Sequence, residues 1–399
     1  MRQGNPILKP AAKRVVIYST CKDDWGGSEE LWARSVPLLK KGGAQVTVFK
    51  DHINRQHPEF RKLSESLSVR LMETKPSYTQ RFRIKAKRLS LGWKGPSGNV
   101  WRPRSVFSDG FFRALKRMRP DLVIISQAIN FDGLLFGMQC LKLGIPYIIV
   151  SQKAVDFYWP DYREREYMAM VWKQALRCYF VSQHNLNLTE EQFGFHFFNA
   201  QVIRNPVKIS PVPLPYPSVE EGYRLACVGR LFLLDKGQDI LMRVLAMEKW
   251  KNRPLSVSFV GTGVDQEALK ALASLLKIEK IDFPGFLRTE TIWGSYHGLI
   301  LPSRSEGMPL VITEAMAAGR VSIVTDAGGN AEIVTDETTG FIGEVSEKGL
   351  DEAMERAWNA RARWREMGLC ASEIISKRVH ISPEALFVNH INALMYGSG

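Results

Sequence analysis

Short, wholly apolar runs recur along this chain, spaced so that one helix fits between each pair. VVIYS is followed by SEELWARSVPLLKKGG and then VTVF, and DLVIIS by FDGLLFGMQCLKLG and then YIIVS. A further helical stretch, REREYMAMVWKQALRC, leads to YFVS. A strand with one face in water alternates apolar and polar residues, whereas these runs are apolar almost throughout, so both of their faces are to be covered. Strands joined through helices run parallel, because a tight hairpin can join only antiparallel neighbours. The pattern therefore predicts an α/β chain built of parallel sheets with helices on both faces.

The alternation is interrupted once. From Asn205 to Val219 the chain reads NPVKISPVPLPYPSV, too rich in proline and too aperiodic for a helix or a central strand. Beyond it the same rhythm restarts with LACVG, LSVSFVG, the helix DQEALKALASLL, KIDFPG, LILPS and VSIVTD. A chain of 399 residues is also too long for one ordinary core. The reading is two doubly wound, Rossmann-like domains, 1–205 and 219–380, with a linker at 206–218. The final stretch, 381–399, contains SPEALFVNHINALMY and is read as a helix returning to the first domain.

Five scattered cysteines with no CxxC argue against a disulfide framework or a zinc cluster and for a reducing compartment. No apolar run reaches the length of a membrane span, and the N-terminus has no secretory pattern. The expectation is a cytoplasmic protein. A net charge of +13 calls for an anionic partner, such as a nucleotide, a nucleic acid or a lipid headgroup. No module with interleaved basic and aromatic recognition residues is present, so nucleic acid is not expected.

In open parallel sheets, ligands bind beyond the carboxyl ends of the strands, so the loops there carry the chemistry. In KDDWGGSEE, Gly26 and Gly27 allow the backbone close to a ligand, and Ser28 is placed to cap a helix beginning near Glu29. In VGRLFLLDKG, Arg230 offers a forked contact to a diphosphate and Lys236 a point charge. FVGTGVDQEAL supplies Gly261 and Gly263, but Gln266 stands where a dinucleotide fingerprint needs its third glycine. SEGMPLVITEAMAAG sets Glu306 on a loop before Pro309 and Glu314 inside the helix that follows. Carboxylates at a helix mouth repel phosphate but accept hydrogen bonds from hydroxyls, of which sugars have many.

These elements occur in one order: GG, R-x5-K, GTG, FPGF, E-x7-E and then GG-x-x-E at Gly328, Gly329 and Glu332. In that order the chain resembles the family 4 retaining glycosyltransferases, which have the GT-B fold of two Rossmann-like domains facing a central cleft. The resemblance is close from Leu225 to Ile342 and looser over the first domain. It implies that Arg230 and Lys236 hold the donor diphosphate, with Gly27 approaching from the other domain. Glu306 would hold the donor sugar, Met308, Pro309 and Leu310 would line it, Glu314 would bind the ribose, and Phe286 would lie by the base. Family members often carry a histidine on a first-domain loop near the transferred sugar. Here the comparable strand end reads VSQKAVDFYWPD, with Asp156 as the acceptor-side candidate, and His184 reads as a helix-start residue.

The expected activity is metal-independent, since no D-x-D triplet occurs, and it needs no cofactor besides the nucleotide-sugar co-substrate. The acceptor would be a sugar, a glycan or a lipid-linked saccharide. Two alternatives compete: a phosphorylase or synthase on the same fold, and a non-catalytic anion-binding protein. One basic stretch stands apart. Within 81–104, eight of twenty-four residues are Lys or Arg, interleaved with Phe82, Ile84, Leu89, Leu91, Trp93 and Trp101. Two readings stand for it: a solvated basic loop, or a surface for anionic lipid, which would hold the protein peripherally at the inner face of a membrane.

Overall fold

A computed structural model describes residues 12–74, 105–207, 210, 212–379 and 382–397; the basic stretch 81–104 lies outside them. Among the described residues, thirteen strands form two parallel sheets. The first contains β1 (Arg14–Ser19), β2 (Gln45–Lys50), β3 (Arg70–Glu73), β4 (Leu122–Gln127), β5 (Tyr147–Ser151), β6 (Arg177–Phe180) and β7 (Ala200–Val202), in the order β3-β2-β1-β4-β5-β6-β7. The second contains β8 (Tyr223–Val228), β9 (Leu255–Val260), β10 (Ile281–Gly285), β11 (Gly298–Leu301), β12 (Val321–Thr325) and β13 (Gly340–Gly343), in the order β10-β9-β8-β11-β12-β13.

The apolar runs are explained by burial on both faces. In β1, Val15 and Ile17 enter one core, with Leu31, Trp32 and Val36 of the helix Glu30–Lys41. Val16 and Tyr18, on the opposite pleat, enter another with Phe111, Phe136 and Trp172. In the second sheet, Ile300 faces a core with Trp250 and Met354, while Leu299 and Leu301 face one with Trp293 and Met316. Each such side chain, if fully buried, contributes about 1.5–3 kcal/mol through surface removed from water.

The helix Pro383–Tyr396 lies against the first sheet's outer helix. Its Phe387, Val388 and Ile391 join the core containing Leu31 and Trp32. A buried guanidinium helps hold the proline-rich connection to the second domain. Arg320, 1% exposed, donates to the carbonyls of Trp293, Leu214, Ala318 and Pro215 and lies over the Tyr216 ring. Among the described residues no helix is long and apolar enough to cross a membrane.

Candidate active site

Strand order reverses direction at β1/β4 in the first sheet and at β8/β11 in the second. At such a switch point adjacent connections leave toward opposite faces and open a crevice beyond the strand ends. The loops after β8 and β11 lie in the second crevice. After β8, the Arg230 carbonyl accepts from Gln238 Nε2 at 2.8 Å, and its guanidinium lies over the Phe232 ring. The short helix Leu233–Lys236 ends at Gly237, whose φ is +60°. A Cβ at Gly237 would stand 2.1 Å from the Pro302 carbonyl oxygen, so only glycine lets the two loops approach this closely.

That approach delivers Lys236 to Glu306, with Nζ and Oε1 2.5 Å apart. Ser303 Oγ donates to the same oxygen at 2.6 Å. Arg304 locks the loop beneath by a forked pair to Asp239 at 2.6 and 2.8 Å. Burial alone would raise the Asp239 carboxyl, but hydrogen bonds from Arg304 and Arg243 outweigh it and hold the group below the usual carboxylate range. Glu314 is buried in the helix Leu310–Ala317 and receives Thr289 Oγ1 at 3.4 Å. Met308, Pro309 and Leu310 are buried, whereas Phe286 is 80% exposed beyond β10. Gly261 and Gly263 serve the backbone: Cβ atoms there would meet the carbonyls of Gly229 and Leu231 at 2.0 and 2.1 Å.

The first domain meets these loops directly. A Cβ at Gly27 would lie 3.5 Å from Leu310 Cδ1, so this loop touches the start of the Glu314 helix. Gly26 precedes a 3-10 turn, Gly27–Glu29, and the α-helix begins at Glu30. Neither turn nor helix has a side-chain cap, so Ser28 does not do the capping its sequence position suggests. Glu29 is instead a buried anchor that accepts from Ser19, Trp32 and Lys50. Asp23, from the same loop, crosses to Arg230 at 3.1 Å, and Lys153, just beyond β5, crosses to Asp235 at 2.8 Å. Asp235 also lies 3.5 Å from Arg230. Three cations, Arg230, Lys236 and Lys153, thus face three carboxylates, Asp23, Asp235 and Glu306.

Two further contacts close the cleft floor. Gly307 packs on the Gln152 carbonyl, and Glu332 accepts the His184 backbone N–H at 2.9 Å. His184 lies in the first turn of the helix Gln183–Phe193, so a second-domain carboxylate serves a first-domain helix start. Asp156 is exposed on the turn that follows β5. Asp23, Asp235 and Lys153 join the site without any motif of their own. The signal available for them was adjacency, since Asp235 precedes Lys236 and Asp23 precedes the GG pair. Among the described residues no group of three His, Cys, Asp or Glu side chains is arranged to hold a metal ion.

The arrangement can be compared with known proteins. HepE of Anabaena, in complex with UDP and glucose, superposes with a TM-score of 0.71 over 96% of this chain and 100% of that one, at 15% identity. Sucrose-phosphate synthase of Thermosynechococcus elongatus gives 0.72 over 97% and 100%, at 16% identity. The fold is GT-B. Within it, residues 222–360 match a family model described as glycosyl transferases group 1. This chain is 35% identical over 141 residues to an uncharacterized glycosyltransferase of Haemophilus influenzae, covering 33% of this chain and 39% of that protein. It is 29% identical over 150 residues to the O-antigen biosynthesis glycosyltransferase WbnH of Escherichia coli, covering 38% of this chain and 42% of that protein. The match therefore spans about two fifths of each of these curated relatives.

Proposed function

We propose that this chain is a retaining family 4 glycosyltransferase that moves a sugar from a nucleotide-sugar donor to a glycan, polysaccharide or lipid-linked acceptor, without a metal ion. The observation that carries the reading is the Lys236–Glu306 pair at a switch-point crevice, with Arg230 of the same loop reaching across to Asp23 of the other Rossmann-like domain. A nucleotide-sugar donor is supported by the UDP and glucose described with HepE, and a role in polysaccharide or O-antigen synthesis by the WbnH resemblance. Arg230 and Lys236 bind the diphosphate, Glu306 the sugar hydroxyls and Glu314 the ribose. Gly26 and Gly27 admit the donor from the first-domain side, and the amides of Met308 and Leu310 support it.

The chemistry follows from charge. As the bond from the anomeric carbon to the diphosphate breaks, negative charge builds on the leaving oxygen, where preorganised cations are worth most. The acceptor oxygen bonds to that carbon on the same face, and its proton passes to the departing phosphate oxygen. The protein then needs no nucleophile of its own. The basic stretch 81–104 would meet anionic lipid and bring a lipid-linked acceptor within reach.

The test is turnover of nucleotide sugars by Arg230→Ala and Lys236→Ala. Loss of one preorganised charged contact lowers turnover about 10²-fold or more. Wild-type activity should survive full chelation. Turnover within a few-fold of wild type in both variants, or complete loss on chelation restored by manganese, would overturn the assignment.

A further inference from the structure

Four charges at the domain boundary form a chain, Asp23–Arg230–Asp235–Lys153, alternating in sign and in domain except at its centre. Its first-domain cation is set on rigid backbone. The Lys153 carbonyl accepts from Asn130 N at 2.8 Å, and the next amide, Ala154 N, donates to Asn185 Oδ1 at 3.2 Å. The Lys153 ammonium shares one carboxylate oxygen, Asp235 Oδ2, with Arg230. Asp235 is also the immediate neighbour of Lys236. A carboxylate 8% exposed between two phosphate-binding cations repels an arriving diphosphate unless another cation offsets it. Lys153 is a first-domain cation already in contact with that carboxylate. Its flexible stem and three N–H donors allow it to exchange Asp235 for a phosphate oxygen without moving the backbone.

We propose that Lys153 is a donor-contacting residue, a third cation that engages the nucleotide diphosphate from the first domain, with Asp235 holding it ready across the cleft. The proposal rests on the nucleotide-sugar reading above and adds a residue to it. It makes binding of the leaving group depend on both domains.

The test is calorimetry with UDP, GDP and ADP on the full chain. For the diphosphate that binds tightest, Lys153→Ala should weaken affinity about tenfold, and Lys153→Arg should stay within about threefold of wild type. Asp235→Asn should tighten binding about threefold, because two cations lose a competing carboxylate. If the pair is only an interdomain strut, both Lys153→Ala and Asp235→Asn weaken binding alike, and the proposal falls. Equal affinity of wild type and Lys153→Ala overturns the proposal alone. Failure of the wild type to bind any of the three overturns the donor reading and the proposal together. Melting curves of each variant confirm that the compared proteins are folded.

Discussion

Gly307 offers the sharpest perturbation of this cleft. It belongs to the Glu306 loop and presses on the first domain, where a Cβ would stand 1.8 Å from the Gln152 carbonyl oxygen and 3.3 Å from Val181 Cγ2. Ordinary contact begins near 3.4 Å, so in Gly307→Ala the two domains must part by about 1.6 Å at that point. The obstacle is a backbone oxygen and cannot rotate away, which puts the cost near the upper end for overpacking, about 3 kcal/mol. Spread over the closed state alone, that is about a 10²-fold loss of competent enzyme, and a displacement of this size also misaligns reacting groups. Val181, from the first domain, belongs to the same buried core as Met308 and Ile312, so part of this cost should also appear as a lower melting temperature. The assay is release of nucleoside diphosphate from the best donor, with small-angle scattering to follow the domain separation. Gly294→Ala is the control, since a methyl there meets nothing within 4 Å. Gly307→Ala turning over within threefold of that control would refute the argument that this glycine sets closure.

Other predictions concern separate parts of the molecule. Glu306→Gln removes the ion pair to Lys236 and should lower turnover and relax donor-sugar choice, whereas Glu314→Gln should chiefly weaken binding of free nucleoside diphosphate; equal affinity losses by calorimetry would contradict that division. His297 accepts from Arg224 N through Nδ1 and meets the Ser218 carbonyl through Nε2, and burial, aided by nearby Arg224 and Arg320, lowers its pKa from the ordinary 6.5. The unfolded chain takes up that proton first, so this stability is present above pH 6.5 and is lost as pH falls through the lower folded value; thermal melts should show the decline, and His297→Gln should flatten it. Sedimentation with anionic vesicles, weakened by salt and absent with neutral ones, is expected of the whole protein, and serine at Arg83, Lys85, Lys87 and Arg88 should abolish it.

How far the chain could be read in advance depended on the range of each signal. The central strands β1, β4 and β5 are unbroken apolar runs because both faces are covered, and such runs are visible in any window. The edge strand β3 is only partly buried, β10 carries Pro284, and β13 is half glycine, so the same signal fades toward the sheet margins. The spacings R-x5-K and E-x7-E were legible because each lies within one loop and its helix. The pairs Asp23–Arg230, Lys153–Asp235 and His184–Glu332 join residues 207, 82 and 148 positions apart, and no local spacing encodes them. Ser28 shows the opposite error: a good capping residue by type, it lies inside the 3-10 turn Gly27–Glu29, whose last residue pairs with Lys50 across the core.

The buried Arg320 has a bearing on how such proteins can be recombined. Its guanidinium grips the carbonyls of Leu214 and Pro215, so this part of the connection travels with the second domain. A hybrid that exchanges the first domain for another should therefore be spliced upstream of Leu214, leaving Arg320 with the two carbonyls it already holds. Spliced at Pro217 instead, the hybrid would inherit foreign carbonyls around a guanidinium that is 1% exposed, and its second domain would begin life with a buried charge poorly served. The seam between these modules is set by the hydrogen bonds that tie the connection to the second domain, those of Arg320 first, rather than by where the sheets end.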